Sequence, residues 1–452
     1  MQSQKRNNTD NQLKSLFRQY AKRRSPLVVN FRKMVPWLGH PDRWTHLIHP
    51  YPAKVLMHIP HFFLANSLLS RPGDTVLDPF AGAGTVLLEA ISANRVAIGA
   101  DSNAMARLIS QVKTHPLPSV GLNKALSKIL TAIPDQTMGV EPDIINTKHW
   151  FYPHVIDQLL RLRSAIQISQ QGHYRSFFDV CFSSCVRKVS LADPRLSVPV
   201  RLRENQYGKD HPLREKTKAH IHRLRRVNVY RVFTRIAEYN IIRMQSLFDL
   251  ATSVTASMVS SDARHLQSEF SDTGTQLPDE SVQLIITSPP YVGAQKYVRA
   301  MSLSLGWLNL CTATSLRTEK NNSIGREEYR KEEYSNPTHT DIQAADRLLT
   351  SIRSVNPLRA HIAAQYLCEM REALTECTRV LKPEGYLVLV IGNNHICGHE
   401  FLTVDYLETL LRRTGLSLRL RLIDDIKSRG LMTKRNKTAG MIAQECVLVF
   451  QK

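Results

Sequence analysis

The chain has 452 residues, 42% of them hydrophobic, enough for two or three domains or for one large domain with insertions around a sizeable core. Its 60 lysines and arginines outnumber 39 acids for a formal charge of +21, which disfavours a cationic partner and favours a polyanion, most simply nucleic acid. No signal-peptide core and no run of about 18 apolar residues is present, and the seven cysteines show neither CxxC pairing nor zinc spacing, so the expectation is a cytoplasmic protein without membrane, disulfide framework or metal.

Residues 1–44 read as a basic N-terminal arm, helical in part, whose only acid before residue 35 is Asp10. From about residue 72 the texture alternates. TVLDPF (75–80) reads as a strand, AGTVLLEAISAN (83–94) as a helix opening behind Gly82 and Gly84, and VAIGAD (96–101) as a second strand, which together make a βαβ unit. Residues 104–255 are too long for a plain connection and read as an inserted, largely helical module. Arg187, Lys188, Arg223, Arg225 and Arg226 lie in its strongly basic part and are candidates for contact with phosphates.

Five further strands follow at 256–263, 281–288, 385–393, 416–425 and 443–450, with an amphipathic stretch at 362–380 among them. The pattern predicts an α/β fold with a seven-stranded, mostly parallel sheet, split in sequence between 45–103 and 256–452. Residues 300–360, which include REEYRKEEYSNPTHTD, read as a mobile loop insertion.

Two stretches carry chemistry. In DPFAGAGT (78–85) the glycines allow a tight strand-to-helix turn and close approach of the backbone to a ligand, and the absence of a following GKS or GKT argues against an NTPase. Asp101 ends the next strand, where an acid can accept hydrogen bonds from ribose hydroxyls. In TSPPY (287–291) two prolines stop the strand and fix a rigid turn. Ser288 and the Pro289 carbonyl can hold the hydrogens of an amino group, and Tyr291 offers a ring for stacking. Two such acceptors would favour a pyramidal nitrogen and free the lone pair of an otherwise poor nucleophile. Lys296 and Arg299 follow just behind and are candidates for the nucleic-acid backbone.

With these motifs in this order the chain resembles the S-adenosylmethionine-dependent DNA amino methyltransferases. HPYPAK (49–54) is similar to the family's N-terminal cofactor motif, VLDPFAGAGT to its glycine motif and IGADSNAMARLIS to its acidic motif. SSDAR supplies the acid after the third strand, TSPPY the catalytic motif and LKPEGYLVLVIGN the fifth strand, and the likeness runs from about residue 45 onward outside the insertions. The resemblance implies a Rossmann-like class I methyltransferase fold with S-adenosylmethionine as cofactor. It assigns Tyr51, Lys54, Asp78, Phe80, Gly82, Gly84 and Thr85 to the methionine end, Asp101 to the ribose, Asp262 to the adenine amino group, and Ser288, Pro289, Pro290 and Tyr291 to catalysis.

It also implies double-stranded DNA with a flipped target base, and a possible restriction or defence partner. SPPY favours cytosine N4 over adenine N6. An RNA amino methyltransferase and a non-catalytic DNA-binding protein are the alternatives. The family's usual logic puts target recognition in the 104–255 module, although here the insertion falls before the third strand.

Overall fold

The apolar runs that read as strands are buried on both faces, as a central parallel sheet requires: VQLIIT at 282–287 is solvent-shielded at every position but Gln283. The computed structural model describes residues 2–39, 43–52, 54–266, 277–293, 297–425 and 444–452. Its strands in chain order are β1 (Leu27–Val29), β2 (Thr75–Asp78), β3 (Val96–Ala100), β4 (Ala256–Ser260), β5 (Val282–Thr287), β6 (Leu381–Ile391), β7 (Asn394–Ile396), β8 (His399–Phe401), β9 (Ser417–Asp425) and β10 (Gln444–Gln451). Among the described residues, eight of them form one sheet in the order β1-β9-β10-β6-β5-β2-β3-β4, and β7 and β8 make a separate hairpin.

Every neighbouring pair in the large sheet is parallel except those of β10, which runs antiparallel to both β6 and β9. From β2 the chain steps outward through β3 to β4, then returns to place β5 on the other side of β2. The connections therefore diverge between β2 and β5. Such a switch point leaves a crevice at the carboxyl ends of the two strands, where open α/β sheets bind ligands.

The fold is α/β as expected, but the sheet has eight strands, not seven. The added strand is β1, three residues paired in parallel with β9 through Leu27 and Leu422, too short and too flanked by basic residues to show in the sequence. The described residues among the first 44 are accordingly no free arm. The helix Gln2–Arg23 buries Leu13, Thr9 donates its hydroxyl to the Ala65 carbonyl at 3.0 Å, and Asp10 accepts from both the backbone and the hydroxyl of Ser67 at 2.8 Å.

The 104–255 segment is helical, including Pro153–Ser169, Gly172–Val189 and Val229–Phe248, but it does not stand apart. Phe177, Phe182 and Phe233 belong to the same continuous apolar core as Val76, Ala97 and Val388 of the sheet. Residues 300–360 are likewise not a simple loop. They contain the helices Ser302–Trp307, Ala313–Asn322 and Gln343–Val355, of which the second opens with a capping box between Thr312 and Ser315. Among the described residues no helix is long and apolar enough to cross a membrane.

Trp307 shows how these segments merge. It is 2% exposed, with Phe151 edge-on at 5.6 Å and Phe182 at 6.2 Å between ring centres, so one indole joins the second insertion to the first. Trp307→Ala is expected to lower unfolding stability by about 3–5 kcal/mol. Denaturant unfolding followed by circular dichroism should keep a single transition, whereas a surviving sheet transition at the wild-type midpoint would show that the helical module folds separately.

Candidate functional site

Asp78 ends β2, Thr287 ends β5, and the Thr287 hydroxyl donates to Asp78 Oδ1 at 2.7 Å across the switch point. The same oxygen accepts the Phe80 N–H at 3.1 Å, so a single carboxylate fixes the start of the glycine turn against the start of the Ser-Pro-Pro turn. Burial pushes the Asp78 carboxyl up to about 7, with Asp101 adding to the rise, while the bonds from Thr287 and Phe80 hold it down.

The glycine turn then bends through left-handed backbone at Gly82 (φ 50°) and Gly84 (φ 68°). A Cβ on Gly84 would lie 2.9 Å from the Ser110 hydroxyl, which itself donates to the Gly82 carbonyl at 2.9 Å. Only glycine fits there. Asp101, just beyond β3, accepts the Gly82 N–H at Oδ2 and the Asn103 N–H at Oδ1, both at 2.8 Å, so its position is set by the turn it faces. Burial raises its carboxyl above the usual range against those two bonds and the Arg107 charge.

A cleft of about 700 Å³ opens over this turn, and its wall includes Tyr51, Phe80, Gly82, Asp101, Asp262, Ser288 and Pro290. The glycine, acidic and Ser-Pro-Pro motifs, more than 200 residues apart at the extremes, thus meet in one cavity. Its mixture of two carboxylates, backbone donors and aromatic faces suits a nucleoside with hydroxyls and an amino group.

A family model described as DNA methylase matches residues 30–111. The type II methyltransferase M.MvaI of Kocuria varians is 24% identical over 380 residues, 78% of this chain and 77% of that one. The chain is thus similar to DNA methylases over part of its length and to a type II methyltransferase over most of it. M.MjaII of Methanocaldococcus jannaschii, also a type II methyltransferase, is 33% identical over 95 residues, 21% of this chain and 18% of its own length. A solved S-adenosylmethionine-dependent methyltransferase from Methanosarcina mazei aligns over 85% of this chain and 94% of its own at 10% identity, with a TM-score of 0.30.

Not every residue expected at the site lines the cleft. Asp78, Gly84 and Thr85 lie behind the wall and shape it, and Pro289 is buried beside Pro290. Lys54 is displaced from the role expected of it. Its Nζ donates to the carbonyls of His46 at 3.2 Å and His49 at 2.8 Å, and burial, with Arg243 nearby, lowers the amine to about 8. Tyr291 is also absent from this wall. It is 8% exposed, with its hydroxyl 3.5 Å from Glu445 Oε1 on β10, so it anchors the turn toward the other side of the sheet.

Asp262 does line the cleft but is held by Arg264, whose Nε and second guanidinium nitrogen reach its two oxygens at 2.9 and 2.7 Å. Arg264 also donates to the Asn322 carbonyl at 3.1 Å, which ties the insertion to the cleft. The reading of residues 300–360 as a loop hid this wall: Asn322, Ser323 and Ile324 border the cavity. Tyr297, which no motif marks beyond TSPPY, also lines the cleft. Its ring stacks on Tyr51 at 6.4 Å and 20°.

Of the basic candidates, Lys188, Arg223, Arg225 and Arg226 are exposed on the helical module, with Arg225 paired to Glu204. Arg187 is a correction. Its guanidinium donates to the carbonyls of Asp193, at 3.1 Å, and Leu196, and so closes a loop of its own module. Arg299 is exposed on Tyr297–Ala300 and borders a second cavity of about 640 Å³ with Lys320 and Arg326. Lys296 lies outside the described residues.

The raised Asp78 carboxyl has a signed consequence. The folded state holds this proton more tightly than the unfolded chain, so the group's contribution to stability is present in full below the ordinary carboxylate range and is lost as pH rises through about 7. The decline amounts to about 4 kcal/mol at most. Asp78→Asn keeps an oxygen for both Thr287 and Phe80 and is expected to flatten this part of the stability profile, as urea unfolding between pH 4 and 8 would measure.

Proposed function

We propose that the chain transfers a methyl group from S-adenosylmethionine to the exocyclic N4 of a cytosine flipped out of duplex DNA. The observation that carries this reading is the shared cleft, in which Ser288 and Pro290 face the turn of Gly82 and the carboxylates of Asp101 and Asp262. When bound, the cofactor supplies an electrophilic methyl group on a sulfonium. Asp101 accepts from its ribose hydroxyls, Asp262 from its adenine amino group, and Tyr51, Phe80 and Gly82 enclose the methionine end.

Ser288 and the Pro289 carbonyl accept the hydrogens of the target amine and orient its lone pair toward the donor. Proline at 289 and 290 removes two backbone N–H groups that would compete for those acceptors. The duplex is gripped through phosphate contacts by Lys188, Arg223, Arg225 and Arg226 of the helical module and by Arg299 behind the catalytic turn. The type II designation of both relatives fits a chain that modifies DNA alongside a restriction partner.

Purified protein with labelled cofactor is expected to label duplex DNA and not RNA, and nucleoside analysis should give N4-methylcytosine. N6-methyladenine as the sole product would overturn the choice of base, and labelling of RNA alone would overturn the substrate. Ser288→Ala is expected to lower kcat by about 100-fold or more while cofactor affinity stays within about 3-fold.

The exposed arginines make a separate, salt-dependent prediction. Replacing Arg223 and Arg226 together by Ala should weaken DNA binding about equally across sequences and reduce the slope of log affinity against log salt by about 2. Fluorescence anisotropy at several salt concentrations reads this out, and an unchanged slope would place the phosphate contacts elsewhere.

A further inference from the structure

Glu89 is fully buried on the helix Thr85–Ser92, directly behind the glycine turn, and it does not touch the cleft. Its carboxylate gathers three side chains from one stretch of chain. The Arg43 guanidinium donates at 2.9 and 3.2 Å, His46 Nε2 meets Oε1 at 2.8 Å, and His61 Nδ1 meets Oε2 at 2.8 Å. The histidine tautomer at 61 follows from its other partner: Trp37 Nε1, which can only donate, reaches His61 Nε2 at 3.3 Å, so Nδ1 carries the hydrogen toward Glu89. Burial alone would raise the Glu89 carboxyl, but the bonds from His46 and His61 and the Arg43 charge hold it well below the usual carboxylate range.

Arg43, His46 and His61 bracket the segment that carries Tyr51. Within that bracket Lys54 donates to the His46 and His49 carbonyls, and the Thr45 hydroxyl donates to the Lys113 carbonyl at 2.6 Å, so the segment is folded on itself and fastened to two helices behind the turn. At its tip the Tyr51 ring lies 3.5 Å from where a Cβ on Gly82 would be and stacks on Tyr297.

Resting on the reading of the cleft as the cofactor site, we propose that Glu89 is a positioning residue for cofactor binding: it clamps the described residues 43–52 and 54–61 as a strap whose tip, Tyr51, forms the wall over the glycine turn. Lys54 serves the same strap from inside and is a positioning residue too, which gives a physical role to a lysine that does not reach the cavity.

The test is a binding cycle on the full chain. Calorimetry with S-adenosylhomocysteine is expected to show affinity about 10-fold weaker in Glu89→Gln and about 3-fold weaker in Arg43→Gln, with kcat at saturating cofactor within about 2-fold of wild type. Arg43 lies at the partly exposed end of the cluster, so its replacement reports on the strap even where the Glu89 variant is poorly folded. In a Tyr51→Ala background the same changes should have no further effect on affinity, because the tip they position is gone.

Unchanged affinity in Arg43→Gln, or losses that simply add to that of Tyr51→Ala, would overturn the strap. A wild-type chain that failed to bind S-adenosylhomocysteine would instead overturn the assignment of the cleft, and the inference with it.

Discussion

One hydrogen bond organises the functional end of this molecule: the Thr287 hydroxyl to the Asp78 carboxylate. It joins the last residues of β5 and β2, the two strands between which the chain reverses its direction of travel across the sheet. Each strand hands over at that point to a turn with a distinct job, one built from glycine so that backbone can approach a ligand, the other from proline so that backbone cannot move. Because both turns start from the same buried carboxylate, their separation is fixed before any ligand arrives. That is what preorganisation means in a site made from distant sequence.

The helical insertion changes how such a site is supported. Were residues 104–255 a tethered module, the cleft would rest on a small α/β core alone. Instead the aromatic residues of the insertion fuse with the apolar face of the sheet, and the second insertion supplies both Trp307 to that core and the stretch Asn322–Ile324 to the wall of the cleft. The insertion is thereby coupled mechanically to the cavity through packed side chains, not through a linker. Arg264 makes the coupling specific, since one guanidinium holds both Asp262 and the Asn322 carbonyl.

Much of the architecture was legible in the sequence because its signals are local. The runs TVLD, VAIGA and VQLIIT have the length and apolar character of buried strands, and Gly82 and Gly84 mark a turn that side chains cannot follow. What was illegible depends on tertiary partners. A three-residue edge strand such as Leu27–Val29 has too few residues to show a pattern and exists because β9 offers it a free edge. The HPYPAK motif assigns Lys54 to the cofactor and the basic run assigns Arg187 to phosphates, and only the fold reveals that each donates to backbone carbonyls instead. Tyr291 was read as a stacking surface from its neighbours in the motif, whereas Glu445, its partner across the sheet, lies 154 residues away. The polar composition of residues 300–360 concealed helices, one opened by the Thr312 capping box and another burying Ala345, Leu349 and Ile352.

The position of β10 bears on how the chain acquires its shape during translation. This strand is made after all the others, yet it lies in the interior of the sheet, antiparallel between β6 and β9. Until residues 444–451 leave the ribosome, β6 and β9 each carry an unpaired edge, an invitation to foreign strands that the nascent polypeptide must survive. Glu445 arrives with them, so the tyrosine behind the paired prolines meets its anchor only at that late moment.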